Sequence, residues 1–520
     1  MIETPCTPDP THSLRVQVLR NFKTKPAETG IIALIFCLAF GIFVQPQYDP
    51  DFWWSLRIGQ QILLTQTVPH LLPWTFTVPS HTYLSQEWAT DTLYAWLWEH
   101  VGMGAVILVT AIVTWVGLCV MYRCVPRHVS LLGKGAAVLV LLLAGDPTWG
   151  PRAQMFTFLG VALLIWIIRE HWRSTAWRWA VAPIVCIWGQ FHGGFTYGLG
   201  ILFMYLAGVT IQAWWTKEKD ATLSRWWLTW LVAALAAMVN PIGVGVYGYL
   251  FELVSKTSVT SLVQEWQSPN FHDPRMLAVI VLIVLTGAGF TSYRRNLAEF
   301  LIVTSSLVLA LEAIRNVVEF AIIALPTAAV GADVLISAVR NSYGRKPQDE
   351  QRAGPEGDKR HLELWFSFVC CAIGIALAVG FAVPRLKSPS NDQLSSSYPV
   401  PVLRWVCSHP DITRIFGPPD TTGWLLAAMD PTGAPNGACT RARVEEFGEY
   451  DLIGKKVLQE TLEIQNGGPD TFTILNNWHV QAVWTVPNTT LALLLSLEPA
   501  RWHVAFNNHG DEIFLRAPKA

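Results

Sequence analysis

Long apolar runs separated by short polar stretches recur along most of this chain. About 20 apolar residues cross a hydrocarbon core of about 30 Å, and eleven windows, several of them short, are candidates on that criterion. They are Ile31–Val44, Ala105–Met121, Leu131–Ala144, Met155–Ile168, Trp179–Gly189, Phe195–Trp215, Trp226–Val239, Met276–Phe290, Phe300–Leu311, Val317–Val339 and Leu364–Val383. The first is not a cleavable signal peptide, because Pro46, Tyr48, Asp49 and Pro50 follow it without a small-residue cleavage pattern. From Pro384 the pattern changes. A Ser/Pro/Asn linker, Ser388–Ser397, leads into a stretch of ordinary globular character. There Ile412–Phe416, Ala482–Val486 and Trp502–Phe506 predict strands, and Leu452–Ile464 and Thr489–Leu497 predict helices. The expected division is a tail at 1–29, a polytopic helical membrane domain at 30–384 with a long first outer loop at 45–100, and a small extracytoplasmic α/β domain at 385–520.

Composition agrees with the periodicity. Of 520 residues 52% are hydrophobic and 14% charged, against roughly 25% charged in an average soluble domain. The net charge of −1 offers no excess that would favour nucleic acid. Tryptophan outnumbers tyrosine, 25 to 12, as suits a protein with two membrane interfaces. With the N-terminus cytoplasmic, alternation across eleven spans puts 21 Lys and Arg inside. Only Arg57, Arg152, Lys256, Arg275 and Arg315 fall outside, up to Val383. That split follows the positive-inside rule and predicts an inner (plasma) membrane protein with its C-terminal domain outside. Cysteines partition likewise, since only Cys407 and Cys439 fall in the outer domain, where a disulfide between them is expected to be possible.

The candidate chemistry gathers on the outer face. The first outer loop carries Asp49, Asp51, Arg57, His70, His81, Glu87 and Asp91 among Trp53, Trp54, Trp74 and Trp88, and loops of such length tend to be functional. Two carboxylates spaced by one residue suit a divalent cation or a general base. Alternatively, Asp51 caps a helix bearing Phe52, Leu56, Gly59, Ile62 and Leu63. Later outer turns add Arg152, His192, Asn240-Pro241, Glu265 and Arg315-Asn316. Ionisable residues at membrane depth are functional candidates.

One chemistry these residue types fit is transfer of a sugar from a lipid-phosphate donor. Arg152, Arg315 or Arg57 would neutralise the donor phosphate, and Asp51 or Asp49, with Glu87 as a further acid, would activate the acceptor. Trp53, Trp54, His192, Glu265 and Asn316 would hold substrate. Two other readings stay open: a non-catalytic membrane protein that binds an envelope partner, and a transporter of lipid-linked sugar or solute. The internal repeats expected of a transporter are not evident in the sequence. A divalent cation is compatible with Asp-x-Asp but not indicated by it.

These features resemble the GT-C superfamily of integral-membrane glycosyltransferases. The chain is most similar to a group of bacterial multi-pass membrane proteins with that architecture. Their D-x-D-x-W-W, E-W, R-x-Q, H-G-G, N-P, E-W-x-S-P and R-N pattern stands here at Asp49–Trp54, Glu87–Trp88, Arg152–Gln154, His192–Gly194, Asn240–Pro241, Glu265–Pro269 and Arg315–Asn316. The chain departs from the group's W-W-H-L at Ser55 and from its R-P-Q at Ala153. What the resemblance implies is a polyprenyl-phosphate-linked sugar donor and a catalytic acid in the first outer loop, by position Asp49 or Asp51.

Overall fold

The structure, a computed structural model, describes residues 26–46, 49–71, 74–78, 85–217, 220–248, 263–292, 296–342, 356–387, 398–429, 442–445, 455–508 and 510–518. Each of the eleven apolar segments lies on a helix, the form that satisfies every backbone group within one segment, as lipid requires. Six helices among the described residues are long and apolar enough to cross a membrane: Pro26–Phe43, Met103–Arg123, Phe195–Thr216, Pro274–Ser292, Ile314–Ser342 and Arg360–Leu386. The other five, Leu131–Ala144, Gln154–Glu170, Thr175–Phe191, Leu223–Ala236 and Leu297–Glu312, have 14 to 17 residues. At 1.5 Å per residue they are about 21 to 26 Å long. This is a membrane protein.

The helix Val317–Ser342 is the central post, with Val317 through Ala332 buried. Small residues bring a neighbour into backbone contact with it. A Cβ on Gly331 would lie 1.7 Å from the Leu285 carbonyl oxygen, and one on Gly289 2.1 Å from that of Thr327. Such approaches are how helices associate where lipid supplies no hydrophobic drive.

Beyond Leu386 the chain builds a four-stranded mixed sheet in the order β1-β2-β4-β3. Its strands are β1 (Ile415–Phe416), β2 (Ala482–Thr485), β3 (Trp502–Asn507) and β4 (Glu512–Arg516). β1 runs parallel to β2, and β4 is antiparallel to both β2 and β3. β1 is shorter than the apolar run Ile412–Phe416 predicts, while the expected helices form at Lys455–Gln465 and Thr490–Ser496. Cys407 is disulfide-bonded, and Cys439, its expected partner, lies outside the described residues.

The first outer loop is shared between the two parts. The helices Asp51–Thr65 and Trp88–His100 pack on each other at Gly59, where a Cβ would meet the Asp91 carbonyl. The segment 74–78 also reaches the sheet domain. Phe76 N–H donates to the Val444 carbonyl at 3.0 Å, and Val444 N–H to that of Trp74 at 2.9 Å. The Phe76 ring sits in one apolar core with Phe416, Ile464, Leu475 and Phe514.

Candidate functional site

Asp49 and Asp51 stand where the chain turns from the first membrane helix into the helix Asp51–Thr65. The N-cap of that helix is Pro50, and no side chain caps it. Asp51 is its first helical residue, and the Asp51 N–H donates to Asp49 Oδ1 at 3.1 Å. The capping alternative for Asp51 is therefore set aside, because a capping carboxylate accepts from N–H groups further along its helix.

Three other turns between helices converge on this point. Arg152, just before the helix Gln154–Glu170, forms ion pairs with Asp49 and, at 2.9 Å, with Glu265 Oε1. Glu265 lies on the short turn Gln264–Trp266. The Arg315 guanidinium covers the Trp266 ring at 4.4 Å, and Ile314 N–H donates to the Gln267 carbonyl at 2.9 Å. Asp49, Asp51, Arg152, Glu265 and Arg315 thus share one electrostatic neighbourhood.

The charges act on one another as their signs require. Burial, then Asp49 and Glu265, raises the Asp51 carboxyl well above its usual range, although the side chain still meets solvent. Asp49 is also raised, by burial against the opposing pull of Arg152. For Glu265, burial is outweighed by Arg152 and Arg315, and its carboxyl is lowered.

His192 and Glu87 form a second group. His192 Nε2 lies 3.3 Å from Glu87 Oε1, while Nδ1 accepts from Gly194 N–H at 3.1 Å and faces the Thr157 hydroxyl at 2.6 Å. Trp188 Nε1 donates to that hydroxyl at 3.1 Å. Burial, with Arg315 adding to it, pushes the imidazole down to about 3. The ring is therefore neutral. With Nδ1 accepting from Gly194 N–H, the proton of a neutral ring falls on Nε2, which faces Glu87. Beneath Glu87, Asp91 is raised well above the usual range by burial and by Glu87, while hydrogen bonds from Ser55 and Ser85 work the other way.

Three expected site residues are not brought here. Arg57 is 6% exposed; its Nη1 donates to the Met429 carbonyl at 3.2 Å, and its guanidinium lies 5.1 Å from the Trp74 ring centre. This corrects its assignment to the donor phosphate. Trp53 donates to the Tyr398 hydroxyl at 3.2 Å and packs edge-on against Trp98 and Tyr398. Trp54 is pressed against Gly423, where a Cβ would lie 2.8 Å from the indole. Both indoles are corrected from substrate contacts to packing, because the segment after the last membrane helix covers their side of the helix. Asn316 donates to the Leu309 carbonyl at 3.1 Å and ties off the preceding helix. His81 lies outside the described residues. Among the described residues no three His, Cys, Asp or Glu side chains are grouped to hold a metal ion.

Sequence reasoning noted Gln154 only as part of the R-x-Q motif and missed Glu319. Gln154 Nε2 donates to the Arg315 carbonyl at 2.6 Å and to Glu319 Oε1 at 2.8 Å, tying two of these turns together. Glu319 is 3% exposed. The available signal was an acid four residues after Arg315 inside an apolar run.

No family model and no curated protein sequence matches the chain. Solved structures do. The archaeal oligosaccharyltransferase AglB from Archaeoglobus fulgidus, in complex with an inhibitory peptide and a dolichol-phosphate, is 10% identical. That match covers 92% of this chain and 70% of AglB, with a TM-score of 0.53. The Archaeoglobus fulgidus oligosaccharyltransferase tethered to an acceptor peptide gives 10% identity, 96% and 75% coverage and a TM-score of 0.51. ArnT from Cupriavidus metallidurans bound to undecaprenyl phosphate superposes more loosely, at 12% identity, 94% and 98% coverage and a TM-score of 0.46. At 10% identity the first two likenesses concern the fold alone: the chain shares the fold of the archaeal oligosaccharyltransferase.

Proposed function

We propose that this protein transfers a sugar, with inversion, from a polyprenyl-phosphate donor to an acceptor hydroxyl outside the membrane. The observation that carries the reading is the convergence of Asp49, Asp51, Arg152, Glu265 and Arg315 from four separate turns. In this reading Asp51 takes the acceptor's proton as the acceptor oxygen bonds to the anomeric carbon. The bond from that carbon to the phosphate oxygen breaks, and the phosphate leaves with the electron pair. Arg152 and Arg315 neutralise the charge that develops on it. A carboxyl raised above its ordinary range suits a base working near neutral pH. Glu87, oriented by neutral His192, would hold the acceptor. The proposed arrangement is an inner-membrane protein with a cytoplasmic N-terminus and residues 385–520 outside.

The test compares wild type with Asp51→Asn in nanodiscs supplied with radiolabelled polyprenyl-phosphate sugars, together with glycan and glycolipid profiles of cells. Transfer by wild type and none by the folded variant is expected. A folded, inserted Asp51→Asn protein that supports wild-type profiles would end the enzyme reading.

A further inference from the structure

The outer cluster holds more acid than base. Asp49, Asp51 and Glu265 face Arg152 and Arg315, and Arg152 already has a carboxylate on either side. A phosphate entering such a site would meet an Arg152 guanidinium already engaged by two carboxylates. One of the carboxylates has to give way.

Glu265 is the one built to do so. Asp49 is fixed by its neighbours: its side chain is 11% exposed, and its second oxygen accepts the Asp51 N–H. The Glu265 side chain is 36% exposed, so it has solvent to turn into. The turn that carries it is held without that carboxylate, by Trp266 against Arg315 and by Gln267 against Ile314. Releasing the Glu265 side chain therefore frees one face of Arg152 and leaves the backbone in place. A planar guanidinium binds carboxylate and phosphate with the same fork.

We propose that Glu265 holds the place of the donor's phosphate on Arg152, and that the arriving phosphate monoester or diester displaces it. The inference rests on the lipid-phosphate reading and names how that site selects its ligand. The unliganded arginine stays compensated, and weak anions are excluded because they must compete with a tethered carboxylate. A membrane-anchored phosphate, held at high local concentration beside the site, wins that competition.

The experiment measures binding of a polyprenyl monophosphate in zwitterionic nanodiscs, with inorganic phosphate in a parallel arm, to wild type, Glu265→Gln and Glu265→Asp. Glu265→Gln is expected to lower Kd about two- to fivefold, the range for one lost, partly exposed charge pair. Glu265→Asp keeps the charge but falls short of Arg152, so it should also tighten binding, which charge repulsion alone would not produce. Carbodiimide labelling of Glu265 in wild type should rise when lipid phosphate is bound. Tightening in the inorganic phosphate arm alone would make the ligand a free anion and overturn the lipid source. Wild-type binding with unchanged or weaker affinity in both variants, or with labelling that does not rise, overturns the displacement while leaving the donor reading standing. Absence of saturable binding in every protein and both arms overturns the two together.

Discussion

The helix Gln154–Glu170 has an arginine at each end, and their surroundings differ. At its C-terminal end Arg169 meets Glu299 at 2.6 Å, with both side chains nearly buried at 12% and 7% exposure. Arg169 also donates to the Cys124 carbonyl at 3.0 Å, and Asn296 caps the helix that carries Glu299. The pair is nearly closed to solvent. Just before the N-terminal end, Arg152 lies among several acids, is 24% exposed, and has neighbours whose carboxyls are displaced in opposite directions. A closed pair is a fastening; an open cluster is where chemistry can be done.

Four changes would sharpen or break that contrast, taken here from the largest expected effect to the smallest. Asp51→Asn should lower kcat by about 10²- to 10⁴-fold, the range for a lost general base, without moving Tm; a matching loss of folded protein would make Asp51 structural. Arg169→Ala should do the reverse. It strands a buried carboxylate and should cost about 3–5 kcal/mol of stability, seen as a lower thermal midpoint in detergent, with kcat per folded molecule nearly intact. Arg152→Ala should reduce transfer about 10²- to 10³-fold with a milder stability loss, since Glu265 can reach solvent.

The fourth is the acid limb of the pH profile. Asp51 acts as a base only when deprotonated, and its carboxyl is raised, so activity should fall as pH drops through a value above the ordinary carboxylate range of about 4. Asp49→Asn removes a like charge that contributes to the rise and should move the limb to lower pH. A limb that stays put, or moves up, would show that another group controls it.

The sequence disclosed some of this and concealed the rest. Helices were legible because each apolar window is a local property, and all eleven windows lie on helices. Arg152, Glu265 and Arg315 were legible as polar residues at span ends that alternation assigns to one face. Arg57, Trp53 and Trp54 were misassigned because their partners, Met429, Tyr398 and Gly423, are more than 340 residues away. No periodicity within the helix Asp51–Thr65 marks which side the later domain will cover. Glu319 was hidden in an apolar run whose hydropathy outweighs one acid.

Phe76 has a consequence for how the protein is made. The hydroxyl of Thr77, its neighbour, donates to the Glu445 carbonyl across 368 residues of chain. At about 5–20 residues per second of synthesis, the first outer loop waits roughly 20 to 70 s before its partner segment exists. Through that interval an aromatic side chain destined for a core has none to enter, and the chain between is still being threaded into the membrane. The contacts of Phe76 and Thr77 with the later domain therefore form only after Glu445 has been made, and a chain that stops before it leaves Phe76 without its core.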